Sequence, residues 1–415
     1  MRRTAQALLA GLLGAGLIAA GAGAGPADAQ APRALDRLDL KIGKALFDRA
    51  WVVPPASTKA DDGLGPLFDA RACVSCHPRD GRSPVSAGAG GVLEGRGPVL
   101  VLGQPDGAGD PVYGRRLQID AVPGLTPEGI LAVADTPTGD DRIARRPAPV
   151  ELAYGPLAPA TGMSLRTAPD LRGRGLIEQV SEETVAAVAA AQPEALRGRI
   201  RHVPLPGGGT AMGRYGWKAA QPSLEGQISE AFFLDMGLST TLHPEPWGDC
   251  TVAQSACRSA PQGREVEGEV EIADVLLSRV VAYVASLPVP AAAENPAGAR
   301  LFAATGCAQC HQPALPMRDG GQARLFTDLL LHDLGPDLAD TLEAPDARPA
   351  EWRTAPLAGL SDALARKTGL LHDGRARTVE DAIAWHGGQA DAVRRKFLAL
   401  SARDRAALVA YVSGL

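Results

Sequence analysis

After residue 25 the chain has no apolar run approaching the roughly 20 residues that a membrane-spanning helix needs, and it carries no basic run longer than the three residues Arg394-Arg395-Lys396. The first absence leaves the processed chain without an integral membrane segment. The second argues against nucleic acid or an anionic membrane surface as partner. Histidine and cysteine are scarce, at seven and six residues, so each one has to be explained. Glycine (48) and proline (34) are instead plentiful. That balance points to a loop-rich chain of two to three domains in which cofactors supply much of the core.

The one long uncharged run, Ala7 to Gly25, lies behind Arg2 and Arg3 and ahead of Ala27-Asp28-Ala29. A charged start, an apolar stretch and a small-x-small site describe a secretory signal peptide over 1–29, cleaved near Ala29. The run is rich in Gly and Ala, which favours cleavage over retention as an anchor. The expected product is periplasmic. Without Arg2, Arg3 and Asp28 it has 40 basic and 46 acidic residues, a mildly acidic balance.

Four of the six cysteines fall in two copies of Cys-x-x-Cys-His, Cys73 to His77 and Cys307 to His311. This is the spacing at which two thiols add across the vinyl groups of one porphyrin and the adjacent His ligates its iron. It predicts two covalently bound haem c groups, held by Cys73, Cys76, Cys307 and Cys310, with His77 and His311 as proximal ligands. Cys250 and Cys257 have neither haem nor zinc spacing. A short-loop disulfide is the expected reading in an oxidising compartment; a redox-active pair is the alternative, without the CxxC spacing that favours a thiolate.

The surroundings of the two motifs repeat. Leu67-Phe68 and Leu301-Phe302 each end five residues before a motif, and Val280 to Leu287 matches Leu408 to Leu415. A helix containing Leu-Phe before the haem and an amphipathic closing helix is the layout of a cytochrome c fold. The expected fold class is therefore mainly α, with two cytochrome c-like domains, 30–287 and 298–415, joined by a Pro/Ala linker at 288–297. The first is enlarged by an insertion of about 80–265 with some β-strand. Within it Pro98 to Leu102 and Pro149 to Tyr154 read as strands. Glu183 to Ala191 and Ser223 to Met236 read as helices, the second with Ser223 as N-cap and Gly237 as stop.

The distal ligands decide what each iron can do, since a strong sixth ligand makes an electron-transfer centre and an open face can bind peroxide or oxygen. His386, at the end of a helix starting near Thr378, is the candidate distal ligand of the C-terminal haem. His332 is a candidate catalytic residue, weighed against a hydrogen-bonded core role. His372 reads as a turn residue with a supporting or propionate role, while His202 and His243 read as surface. No His lies between His77 and His202, so the first iron is closed by the insertion, by the other domain, or by solvent alone. Met163 and Met236 are weighed there as ligands and as packing.

The chain also resembles the di-haem oxidoreductase family, distantly similar to bacterial di-haem cytochrome c peroxidases and to the di-haem enzyme that matures the methylamine dehydrogenase quinone cofactor. The resemblance rests on Asp62-Gly63-Leu64-Gly65-Pro66-Leu67-Phe68 before the first motif and on Gly213-Arg214-Tyr215-Gly216-Trp217-Lys218-Ala219. It continues through Phe326 to Asp333, Glu351-Trp352-Arg353-Thr354 and Leu371 to Thr378. In the related peroxidases and the maturation enzyme the ligand of the C-terminal haem follows the His-Asp-Gly turn, and that similarity implies His386 here and a low-potential bis-His centre. The peroxidases place a distal His soon after the first motif, where this sequence is rich in Gly and Val. The comparison further offers Trp217, Trp352 and Trp385 as aromatic residues between the haems. Arg375 and Arg377 are propionate partners by charge. The implied function is an oxidoreductase with an electron-transfer C-terminal haem and a peroxidase-like N-terminal one; the alternative is a pure electron carrier with both irons six-coordinate. Small redox proteins or quinone-linked donors and acceptors are the expected partners, and calcium is a further candidate ion without assigned residues.

Overall fold

The structure is a computed structural model, and it describes residues 34–58, 61–139, 142–264 and 269–415. The expected signal peptide lies outside the described residues. Helices joined by long loops and two-stranded sheets make up the fold. No described helix is long and apolar enough to cross a membrane.

Two helix crossings organise the molecule. The helix Ala34–Asp48 packs on the helix Asp274–Ala285, and Pro296–Thr305 packs on Ala402–Ser413. Each contact is made at a glycine. A Cβ on Gly43 would lie 2.8 Å from the Tyr283 Cβ and 2.0 Å from the Arg279 carbonyl oxygen; one on Gly298 would lie 2.3 Å from the Tyr411 Cβ. Only a residue without a side chain lets the backbones approach this closely. Beside each glycine an aromatic pair completes the contact, Phe47 with Tyr283 at 5.4 Å and Phe302 with Tyr411 at 5.5 Å between ring centres. The duplicated unit is thus Gly43-x-x-Leu46-Phe47 and Gly298-x-x-Leu301-Phe302. Leu67-Phe68, expected in a helix, is a two-residue strand paired with Asp120–Ala121. The first copy carries an extra loop between its helix and its haem motif, so the matching Leu-Phe lies further upstream.

Two large apolar cores lie beside the crossings. One gathers Leu46, Trp51, Phe232, Leu277 and Val280, with Cys73 packed against it; the other gathers Phe302, Trp385, Phe397 and Leu408, with Cys307 against it. Between the first motif and Asp274, the strands Pro98–Gly103 and Gly162–Thr167 pair antiparallel with Leu100 opposite Leu165, both buried. Pro149 to Tyr154 is not a strand: only Val150 bridges to Ile130, and Glu151 turns left-handed at φ 55°. The helices Glu182–Ala191 and Leu224–Met236 form as expected. Ser181 and Ser223 cap them by accepting from the Thr184 and Gly226 amides, and Gly237 ends the second at φ 67°. In the C-terminal half the short ladder Leu331–Asp333 with Glu351–Arg353 sets His332 opposite Trp352.

Candidate functional site

Each Cys-x-x-Cys-His segment lines its own cavity, of about 240 Å³ for the first and 210 Å³ for the second. Cys73–Cys76 is one helical turn that ends where the His77 amide donates to the Cys73 carbonyl at 2.9 Å. All four motif cysteines are half-buried free thiols. Burial pushes Cys73 and Cys76 up to about 12 and Cys307 up to about 11, so these are protonated thiols rather than reactive thiolates.

Three histidines share one arrangement. His77 Nδ1 donates to the Pro169 carbonyl at 2.9 Å, His311 Nδ1 to the Phe326 carbonyl at 3.1 Å, and His386 Nδ1 to the Ala382 carbonyl at 2.7 Å. Burial lowers the pKa of all three, to about 4 for His311, so the rings are neutral. A carbonyl only accepts, so Nδ1 carries the proton and Nε2 keeps its lone pair for a metal. In the second cavity the rings of His311 and His386 are 6.4 Å apart between centres. Two metal–imidazole bonds of about 2 Å each, plus about 1.2 Å from each nitrogen to its ring centre, give a similar span. His386 reaches this place because Thr378 caps the preceding helix Val379–Ala384, accepting from the Asp381 amide.

The first cavity differs. His77 is the only imidazole among its described lining residues. The helix Leu224–Met236 faces the cavity with Gln227, Glu230, Asp235 and Met236. Asp235 is tied to Arg116, whereas Glu230 has no ion pair among the described residues. The Gln227 Oε1 is buried without a hydrogen-bond partner.

The remaining expected residues are distributed as follows. His332 is buried, bonded through Nε2 to Asp328 at 2.9 Å, with Nδ1 3.8 Å from the Cys310 Sγ. Burial disfavours its charge, but Asp328 and Cys310 outweigh that and hold it up at about 10. Both nitrogens are engaged, the geometry of a core histidine. Cys310, Asp328 and His332 are also the one group of ligating side chains, among the described residues, close enough to share an ion; its sulfur and nitrogen donors do not suit calcium. His372 stacks on Trp352 at 3.7 Å in the wall of the second cavity. Trp217 lines both cavities, Trp352 the second, and Trp385 neither, lying between Arg142 and Arg375. Met236 lines the first cavity; Met163 packs in a separate cluster.

Arg375 and Arg377, the expected propionate partners, stand outside both cavity linings. Arg375 spends its donors on Asp373 and on the Asp337 and Arg145 carbonyls, and Arg377 is exposed. Neither lines a cavity. The arginines that do are Arg82, Arg116, Arg166, Arg174 and Arg353 in the first and Arg82, Arg353 and Arg394 in the second. Sequence reasoning missed them, although Arg353 and Trp217 stand inside the segments Glu351 to Thr354 and Gly213 to Ala219 that carry the family resemblance. Cys250 and Cys257 are paired, with Cα atoms 6.2 Å apart, within the reach of a disulfide.

Residues 160–415 match the family described as "Di-haem oxidoreductase, putative peroxidase". No curated protein matches the chain. Among solved structures, hydrazine synthase of Kuenenia stuttgartiensis is similar over 91% of this chain and 87% of that one, at 15% identity and a TM-score of 0.38. A MauG-like protein associated with microbial copper homeostasis is similar over 59% and 86%, at 15% identity and a TM-score of 0.29. The family match spans more than half of the residues and includes the second haem motif, the His386 region and the arginines at 166, 174 and 353, and on that extent the chain belongs to the di-haem oxidoreductase family.

Proposed function

We propose that this chain is an exported, periplasmic di-haem c-type oxidoreductase, with one haem attached through Cys73 and Cys76 and the other through Cys307 and Cys310. The residues present fit those groups: each cavity offers two free thiols and a neutral His with an open Nε2. The repeated glycine crossing supports two cytochrome c-like units, 30–287 and 298–415, joined by 288–297. When bound, such haems supply one-electron transfer and, on an open face, a place for peroxide or oxygen.

The observation that carries the reading is the asymmetry of the cavities. His386 stands opposite His311 at a span suited to one iron, and among the described residues no second imidazole faces His77. The C-terminal site is then closed and serves electron transfer. The N-terminal site is the reactive one, where Glu230 takes up or delivers the proton that peroxide-type chemistry requires. Trp217, in the wall common to both cavities, is the connecting aromatic residue. Electrons enter or leave through a small redox protein or a quinone-linked partner. Cys250–Cys257 is read as a structural disulfide, consistent with export.

One observation favours a second reading. Met236 lines the first cavity and is a candidate sixth ligand, which makes both sites six-coordinate and the protein an electron carrier. Ferric spectra of the holoprotein and of His386→Met decide between them. The first reading expects a high-spin component that shifts with cyanide, and a His/Met signature with a raised C-terminal potential in the variant. Two low-spin haems inert to cyanide sink the enzyme reading, and an unchanged His386→Met spectrum removes His386 as ligand.

A further inference from the structure

Four guanidinium groups are set into the cavity walls without an ion pair to any carboxylate among the described residues. Arg82, Arg174 and Arg353 are 9%, 7% and 8% exposed, and Arg166 is half-buried. Their hydrogen bonds go to uncharged groups. Arg82 donates to the Thr167 hydroxyl at 2.8 Å and the Leu371 carbonyl at 2.9 Å, and Arg166 to the Ser164 hydroxyl at 3.1 Å. Arg174 donates to the Asp170 backbone carbonyl at 2.7 Å, and Arg353 to the Gly216 and Thr354 carbonyls at 3.0 and 3.2 Å. The Arg82 Nε and Arg174 Nη1 are buried with no partner at all.

Apart from Glu230, which acts on Arg166 and has no ion pair of its own among the described residues, the acids nearest to them are already committed. Asp170 pairs with Arg172, Asp373 with Arg375, Asp340 with Lys218 and Asp328 with His332. Burial accordingly pulls Arg82, Arg166 and Arg353 down to about 10. Unpaired buried cations are among the costliest features a fold can hold, so the walls call for an anionic occupant.

Two haems bring four propionates. The thiols fix the vinyl edge of each porphyrin, and the propionates project from another edge, away from those thiols. Arg166 and Arg174 line the first cavity alone, whereas Arg82 and Arg353 line both. On the di-haem reading above, we infer that these four arginines are the propionate sites. Arg82 and Arg353 would hold propionates of both haems, from the wall beside Trp217 that the two cavities share.

The test is a spectroelectrochemical titration of the holoprotein, with the two haems told apart by their spin-state bands. Loss of a cation beside a propionate lowers the potential of the haem that carries it. Arg82→Gln and Arg353→Gln are expected to lower both potentials, Arg166→Gln and Arg174→Gln that of the N-terminal haem only, and Arg377→Gln neither. If Arg353→Gln does not accumulate with haem, Arg353→Lys is read instead, with a smaller fall at both haems expected because the forked contact is lost while the charge remains. A shift confined to one haem for both wall arginines, or no shift, overturns the shared-wall arrangement. Fewer than two haem masses on the denatured wild-type chain overturns the di-haem reading and this inference with it.

Discussion

Asp69 shows how strongly burial governs single residues around the first haem motif. It is 3% exposed; its Oδ1 accepts from the Ile119 amide at 3.3 Å and its Oδ2 has no partner. Burial raises its pKa from 3.8 to about 7 despite the pull of Arg116. The folded chain then keeps a proton that the unfolded chain releases near pH 4, so folding stability falls as pH rises from about 4 to about 7. Asp69→Asn keeps the shape without the titration. It is expected to be more stable than wild type at pH 8, with the difference vanishing near pH 4. Denaturant midpoints across that range check this, and a gap independent of pH contradicts it. Single residues were unevenly legible. His386 stood out because histidines are few and its place after a capped helix is local. The wall arginines did not, because Arg82, Arg166, Arg174 and Arg353 are scattered in a chain with 42 basic residues, and only the tertiary fold sets them in the cavity walls without ion pairs.

At the scale of elements, the Leu-Phe pair misled because it occurs twice ahead of the first motif, at Leu46-Phe47 and at Leu67-Phe68. Proximity to Cys73 favoured the wrong copy. The signal that separates them is the glycine three residues earlier, which matters only once the crossing helix is known. The capped helices Glu182–Ala191 and Leu224–Met236 were legible because their start signals are local. The strand expected at Pro149 to Tyr154 failed because a left-handed turn at Glu151 interrupts it. Gly298→Ala puts a methyl group 2.3 Å from the Tyr411 Cβ, so the helices must part. A loss of about 1–3 kcal/mol is expected, from overpacking. Thermal unfolding of the holoprotein measures it, and an unchanged midpoint would show that the crossing tolerates a side chain.

At the scale of the whole molecule, the unneutralised arginines tie folding to cofactor. Stranding one buried charge costs about 3–5 kcal/mol, and a domain's entire stability is about 5–15 kcal/mol. Chain produced without haem attachment is therefore expected to lack fixed tertiary structure. Near-ultraviolet dichroism of that material is the check, and a native-like spectrum would refute the expectation. The sequence announced this dependence in its Cys-x-x-Cys-His pairs and its many glycines and prolines, but gave no hint of the wall that both cavities share.

That wall has a consequence for how the protein can be divided. Arg82 follows the first haem motif, Trp217 comes from the middle of the chain, and Arg353 from the ladder strand opposite His332. No contiguous fragment short of most of the chain contains all three. On the proposed di-haem reading, cutting at 288–297 would yield two halves, each with one Cys-x-x-Cys-His motif yet missing part of the shared wall. The wiring is a property of the assembled molecule, and a half-built chain has no circuit to close.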